Sequence, residues 1–246
     1  MRVSTEGIVL QRIRYGDNSS VVKIYTRQGG MQSFMLKSGS RSGGRFRSSC
    51  FFPLSQVEIS YSSARPGAGM PYLSEVKIAY AYREMYADVR KSSVAFFLAE
   101  MMVRCITQSE QDEVFYDKVA RALRRFDLQS DNLAEFHLFF VLEMASALGF
   151  YPLMAEGAAV AYFDLREGRF VQERPIHADF LQGGAAADLV RLLDTHVRSG
   201  GDIPFLRLFS SSERFALLQA LVRYCQLQSG TEGTFKSLAV LREIFS

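Results

Sequence analysis

The chain has 246 residues, 48% hydrophobic and 22% charged, with three cysteines and no tryptophan. That length suits one large domain or two small ones, and the hydrophobic share is ample for a core, which argues against long-range disorder. The net charge of +3 is unevenly placed, because the first 80 residues hold 11 of the 29 basic but only 4 of the 26 acidic side chains.

No window reaches the run of about 18 apolar residues that a membrane span needs. The opening "MRVSTEGIVLQRIRYGD" lacks the apolar stretch and small-residue cleavage site of a secretion signal. Cys50, Cys105 and Cys225 are far apart, which is no disulfide framework and fits a reducing compartment. The expectation is a soluble, cytoplasmic protein.

The first 80 residues read as strands. "GIVLQRIRY" alternates, with Ile8, Leu10 and Arg12 on one side and Val9, Gln11 and Ile13 on the other. The turn cluster "GDNS" separates it from the β-branched "SVVKIYT". Gly29-Gly30 between two apolar runs signals a hairpin into "MQSFMLK". "QVEISY" alternates with Val57, Ile59 and Tyr61 on one face and Glu58 and Ser60 on the other. "ARPGAGM" is a loop and "PYLSEVKIAY" a further strand. Five short strands with turns between them suit a small closed barrel.

The period changes near Ala81. In "REMYADVRKSSVAFFLAEMMVRCI", Met85, Val89, Phe96, Ala99, Met102, Val103 and Ile106 recur at three- and four-residue steps, as on a buried helix face. "DEVFYDKVARALRRF" continues with Val114, Tyr116, Val119, Ala122, Leu123 and Phe126. "DNLAEFHLFFVLEMASALGF" is nearly all apolar and reads as a central helix, with Asn132 and Glu135 as a capping pair and Gly149 at its end. "AYFDLREGRFV" reads as a hairpin turning at Arg166 to Gly168. Helices follow over "AAADLVRLLDTHVR", over "SSSERFALLQALVRYCQLQ" behind a Ser210–Glu213 capping box, and over "FKSLAVLREIF". The organisation is a basic strand module, 1–80, and a slightly acidic helical module, 81–246.

Signals for catalysis are poor. His137, His177 and His196 have no second ligand at metal-site spacing, and there is no C-x-x-C. "GSRSGG" lacks the G-K-[ST] ending of a phosphate loop. His137, among Phe136, Leu138 and Phe139, reads as a core histidine. The expectation is a chain with no metal, no cofactor and no enzymatic activity.

Signals for binding are better. Between Asp17 and Glu58 there is no acid, while Lys23, Arg27, Lys37, Arg41, Arg45 and Arg47 fall there. One-sided charge of this kind points to an anionic partner, nucleic acid being the commonest, although a solvated basic face would look the same. Four of these cations sit in the Gly/Ser-rich "LKSGSRSGGRFRSSCFF". A small barrel offers a curved face on which cations meet phosphates and aromatics stack on bases. Phe46, between Arg45 and Arg47, is the first candidate for stacking; Tyr15, Tyr25 and Phe34 are interleaved aromatics, the last two better read as core.

"TEGIVLQRIRYGDNSSVVKIYTRQGG", "KSGSR", "PLSQVEISY" and "LSEV", in that order over about 75 residues, resemble the bacterial recombination-mediator family RecO. The family pattern of G-I-V-L, Y-G-[DE]-x-S, T-R-x-x-G, a K-G-x-R-type segment, P-L-x-x-x-E-x-x-Y and L-x-E falls at Gly7–Leu10, Tyr15–Ser19, Thr26–Gly30, Lys37–Arg41, Pro53–Tyr61 and Leu73–Glu75. The resemblance implies an α+β protein, an N-terminal five-stranded OB-fold barrel followed by a mainly helical domain with a short hairpin. It implies a non-enzymatic role in DNA repair: binding single- and double-stranded DNA, annealing strands, and helping load recombinase onto DNA coated by single-stranded-DNA-binding protein. RecR and that coating protein, through its acidic C-terminal tail, are the implied partners, and the location is cytoplasmic, with the nucleoid. The tail would need a basic-rimmed apolar groove, with Arg121, Arg124, Arg125, Arg191, Arg198, Arg207 or Arg223 as rim candidates. Many members carry four zinc-binding cysteines in the second domain; here the hairpin has none, so it must hold by packing of Tyr162, Phe163, Phe170 and Val171. An OB-fold protein for RNA or the ribosome, and a protein-binding scaffold, are the alternative readings.

Overall fold

The computed structural model describes residues 2–37, 48–62, 69–107, 111–153, 161–200 and 202–245. They form two compact units, Met1–Leu128 and Gln129–Ser246. The change from strand to helix falls between Tyr80 and Val89, and the first unit continues through two helices to Leu128.

In the first unit, β1 (Arg2–Arg14), β2 (Ser19–Thr26), β3 (Gly30–Lys37), β4 (Gln56–Ser62) and β5 (Leu73–Tyr80) form one antiparallel sheet in the order β3-β2-β1-β4-β5. A parallel bridge from Met35 to Tyr72, with the Met35 N–H donating to the Pro71 carbonyl at 2.8 Å, brings β3 onto the end of β5. This is the expected five-stranded OB-fold. β1 serves both halves: its first part pairs with β4 and its second with β2, and a bulge between Val9 and Gln11 lets it bend. At the bend a Cβ on Gly7 would lie 2.5 Å from the Ile24 side chain. Val9, Val22, Ile24, Phe34, Leu36, Val57, Ile59 and Val76 fill the interior. The every-second-residue spacing of Val22 and Ile24, Phe34 and Leu36, and Val57 and Ile59 is what made β2, β3 and β4 legible; in β1 the bulge breaks the expected alternation, so that Val9 faces the core while Gln11 and Ile13, expected on the same side, face out.

Helices α1 (Val89–Cys105) and α2 (Glu113–Leu128) complete this unit. The expected helical face is shifted. Val89 and Phe96 on α1 and Val114 on α2 are more than half exposed, while Phe97, Leu98 and Met101 are buried. "VAFFLA" is apolar at six successive positions, so periodicity there could not choose between adjacent faces. Met85 is buried ahead of the helix, in a turn fixed by Asp127, whose carboxylate accepts the N–H groups of Arg83, Glu84 and Met85 at 2.8, 2.8 and 2.7 Å. The barrel is fastened to α2. Gln56, fully buried, donates to the Ala120 carbonyl and accepts from Arg124, and Tyr25 packs against Phe115 and Tyr116.

The second unit is built on α3 (Phe136–Ala147), which is buried at ten consecutive positions, Phe136 to Ala145. Around it lie α4 (Gly184–Arg198), α5 (Ser211–Ser229) and α6 (Lys236–Phe245). The Ser210–Glu213 capping box forms. The expected Asn132–Glu135 pair does not: Asn132 is left-handed and makes no side-chain cap. Glu135 is buried and instead accepts the N–H groups of Leu208 and Phe209, both at 2.7 Å, a destination 73 residues away that a local pattern cannot contain. Burial raises its pKa. His137 is buried, and desolvation pushes its pKa down to about 3, so the imidazole is neutral.

The hairpin is present as β6 (Tyr162–Asp164) and β7 (Arg169–Val171), joined by an additional strand, β8 (Phe180–Gln182), on the other side of β6. Phe163 packs on Phe170 at 4.8 Å and Tyr162 on Phe180 at 5.6 Å. One oxygen of Asp164 accepts the N–H groups of Arg166 and Glu167, which closes the turn.

Candidate nucleic-acid interface

Partners across β1, β2 and β3 share a face, because side chains alternate along each strand. Val22 and Phe34 are fully buried, so their rows point inward and the rows between them point outward. The outward rows are Gln11–Lys23–Ser33, Ile13–Val21–Met35 and, where the Tyr15 N–H donates to the Ser19 carbonyl, Tyr15–Ser19–Lys37. This surface combines two lysines with apolar and aromatic side chains. Tyr15 is 62% exposed and Ile13 48%. At its edge, beside the bridge to Met35, stands Tyr72, also about half exposed, with the Lys37 ammonium 4.7 Å from its ring centroid. The turn after β1 and the segment entering β5 flank the β2–β3 face, the place where OB-folds hold oligonucleotides. Asp17, in the first of these turns, is the one acid between Gln11 and Lys37.

Arg12 and Arg14 belong to inward rows but emerge at the open end of the barrel, where both are exposed. The Arg12 guanidinium covers the ring of Phe51 at 5.2 Å and donates to Ser20. Phe51 closes the short 3₁₀ turn Ser48–Phe51 that follows the Gly/Ser-rich basic segment. Arg12 thus sits where that segment rejoins the barrel.

Of the candidates singled out in the sequence, Lys37 is exposed on this surface and Lys23 half-buried on it. Arg41, Arg45, Phe46 and Arg47 lie outside the described residues. Arg27 is held elsewhere: it pairs with Asp117 through two hydrogen bonds of 2.9 Å and with Glu113 at 2.7 Å. These acids hold its pKa well above the usual arginine range. The positions not singled out are Tyr72, Ile13, Met35, Arg12 and Arg14. Nothing in the sequence sets Tyr72 apart; the bridge to Met35 brings it to this face.

The second unit carries a groove of about 720 Å³ between α5 and α6. Phe215, Val222, Phe235 and Leu238 line it, and Arg223 and Arg242 stand at its rim. An adjoining recess of about 310 Å³ shares Phe215, Gln219 and Arg242. Of the expected rim cations Arg223 is here, already paired with Asp179 at 2.8 Å, whereas Arg124 goes to Gln56 and Tyr80, and Arg191 covers Phe209.

The family models described as "Recombination protein O N terminal" and "Recombination protein O C terminal" match residues 1–82 and 86–238. The chain belongs to the recombination protein O family. Two relatives are similar along their whole length. One from Phocaeicola vulgatus is 30% identical over 246 residues and one from Christiangramia forsetii 31% over 248, each alignment covering 100% of both chains. Both are called "DNA repair protein RecO". The N-terminal family match covers the barrel that bears the cationic face; the C-terminal match covers α1 to α5 and the start of α6.

Proposed function

We propose that this protein is a non-enzymatic mediator of DNA repair and recombination, acting in the cytoplasm on the nucleoid. In this reading residues 1–80 bind single- and double-stranded DNA and anneal complementary strands, and residues 81–246 meet protein partners, RecR and single-stranded-DNA-binding protein among them. The observation that carries it is the exposed face of β1, β2 and β3, where Lys23 and Lys37 lie among Tyr15, Ile13, Met35 and Tyr72. Cations and π-faces hold a strand without reading it, which is what annealing of arbitrary sequences requires. A positive surface also screens the repulsion between two strands. The α5–α6 groove suits an acidic tail with apolar side chains, since Arg242 would meet a carboxylate and Phe215 and Leu238 the apolar groups.

The test is titration of fluorescent single-stranded DNA at several salt concentrations. Replacing Lys37, Arg41, Arg45 and Arg47 together by Ala should weaken binding alike for all sequences. It should flatten the slope of log K against log salt by roughly 0.7 for each phosphate that is no longer neutralised. Wild-type affinity and slope in the folded variant would refute this assignment of the interface, and preference for matched RNA over DNA would favour an RNA-binding role. Deleting the acidic tail of the coating protein should abolish its binding to the second unit; unchanged binding would refute the assignment of the groove.

A further inference from the structure

We infer that Tyr72 is the residue by which this face prefers unpaired nucleotides to duplex: its ring stacks on a base while Lys37, beside it, holds an adjacent phosphate. The inference rests on the DNA-binding role proposed above and adds to it a determinant of strand type.

Three observations converge on this residue. The residue is about half exposed, while the core beneath is filled by its neighbour Leu73 and by Val76. Among the described residues the hydroxyl has no hydrogen-bond partner. The residue is nevertheless held in place. Its backbone forms the bridge to Met35 where β3 meets the end of β5, and the Met35 N–H binds the preceding Pro71 carbonyl. The Lys37 ammonium 4.7 Å from the ring centroid adds a cation–π contact. An exposed aromatic on a fixed seam loses little conformational freedom when a ligand stacks on it. Finally, the ring and the cation are adjacent, and one nucleotide carries both a π-face and a phosphate.

The chemistry separates strand types. Bases inside a duplex are already stacked, so a duplex offers this site only phosphates, while a single strand can turn a base onto the ring. Stacking engages the face of a base and leaves its pairing edge open. A strand held this way is still able to pair with a second one, which hydrogen-bonded readout of that edge would prevent.

The test compares Tyr72→Leu, Tyr72→Phe and wild type on three fluorescent probes: a short oligothymidylate, an abasic strand of the same length, and a duplex. Wild type should bind oligothymidylate more tightly than the abasic strand. Tyr72→Leu should lose about 5- to 150-fold on oligothymidylate and nothing on the other two, with its salt slope unchanged. Tyr72→Phe should behave as wild type. Lys37→Ala, by contrast, should weaken all three and flatten the slope. Equal losses of Tyr72→Leu on all three probes, or no loss on any, would overturn the inference and leave the DNA-binding role standing. Wild type that binds none of the probes would overturn that role instead. Should Tyr72→Leu melt early, wild type carries the test: ultraviolet cross-linking to an iododeoxyuridine strand should mark the peptide containing Tyr72, and marking elsewhere alone would overturn the inference.

Discussion

Asp127 offers the sharpest test of how the first unit is held together. It is fully buried near the end of α2, and one of its oxygens accepts the N–H groups of Glu84 and Met85 while the other accepts that of Arg83. Its own carbonyl accepts the ammonium of Lys91, itself buried, at 2.6 Å. One residue thus fixes the turn that leads into α1. Replacement by Ala removes three charge-assisted hydrogen bonds. Arg83 and Glu84 are exposed and can be rehydrated, whereas the amide of buried Met85 cannot. One orphaned buried donor costs about 1–3 kcal/mol and the two other bonds together about 1–2 more, so the loss is about 2–5 kcal/mol. Asn can keep the oxygen that serves Glu84 and Met85 and loses only the bond to Arg83, at about 1–1.5 kcal/mol. At about 3–5 °C per kcal/mol for a unit of this size, the Ala variant should melt about 6–25 °C lower and the Asn variant roughly 3–8 °C lower. Circular dichroism melts and urea titrations would read this. Folded Asp127→Ala should bind DNA as wild type does, because the partners of its carboxylate, Arg83, Glu84 and Met85, are not on the β1–β3 face. Equal melting of all three proteins, or an Asn variant weaker than the Ala one, would refute the acceptor argument.

Gly168 has φ of +68°, and a Cβ there would lie 2.8 Å from the Tyr224 hydroxyl, which donates to the Phe150 carbonyl. Gly168→Ala should cost about 2–3 kcal/mol, and adding Tyr224→Phe should cost less than the two single changes together. Asp179 accepts from Arg223 and Arg166 at 2.8 Å, and these hydrogen bonds hold its pKa down to about 2. A depressed carboxylate stabilises the fold above its unfolded value, near pH 4, and that contribution is lost as pH falls through about 2. The gap in urea midpoint between wild type and Asp179→Asn should therefore be constant above about pH 4 and close below it; a gap that widens with acid would contradict this.

Legibility followed locality. β2 to β4 could be read because burial on one side imprints a two-residue period, as in Val57 and Ile59 with Glu58 between them; the sides of β1 could not, because nothing local marks the bulge between Val9 and Gln11. The face of α1 could not, since Phe96 and Phe97 are chemically equal and only packing against the rest of the unit selects Phe97. Glu135 is of the same kind: beside Asn132 it looks like a cap, yet its partners are amides at Leu208 and Phe209. For the candidate site, Lys37 was legible as charge. Tyr72 was not, because a tyrosine opening a strand looks like any other until the bridge to Met35 sets it beside Lys37.

Arg27 shows how a charge pattern along the chain differs from one in space, and it supplies a last test. It lies in a stretch of sequence with no acid between Asp17 and Glu58, which is why it counted among the DNA-binding cations. Folding brings Glu113 and Asp117 of α2 against it, so a region acid-free along the chain is not acid-free in space. A guanidinium that already holds two carboxylates would have to leave them to reach a phosphate. Arg27→Ala should therefore leave the salt slope of DNA binding unchanged, in contrast to Lys37→Ala, whose slope should flatten by roughly 0.7. The effect of Arg27→Ala belongs to stability: the melting temperature should fall at low salt, and the difference should shrink as salt screens the ion pairs. Asp117→Asn should reproduce that salt-dependent loss without touching DNA affinity. If Arg27→Ala flattened the slope as Lys37→Ala does, the arginine would be exchanging partners on binding, and the interface would extend from the β1–β3 face to the start of α2.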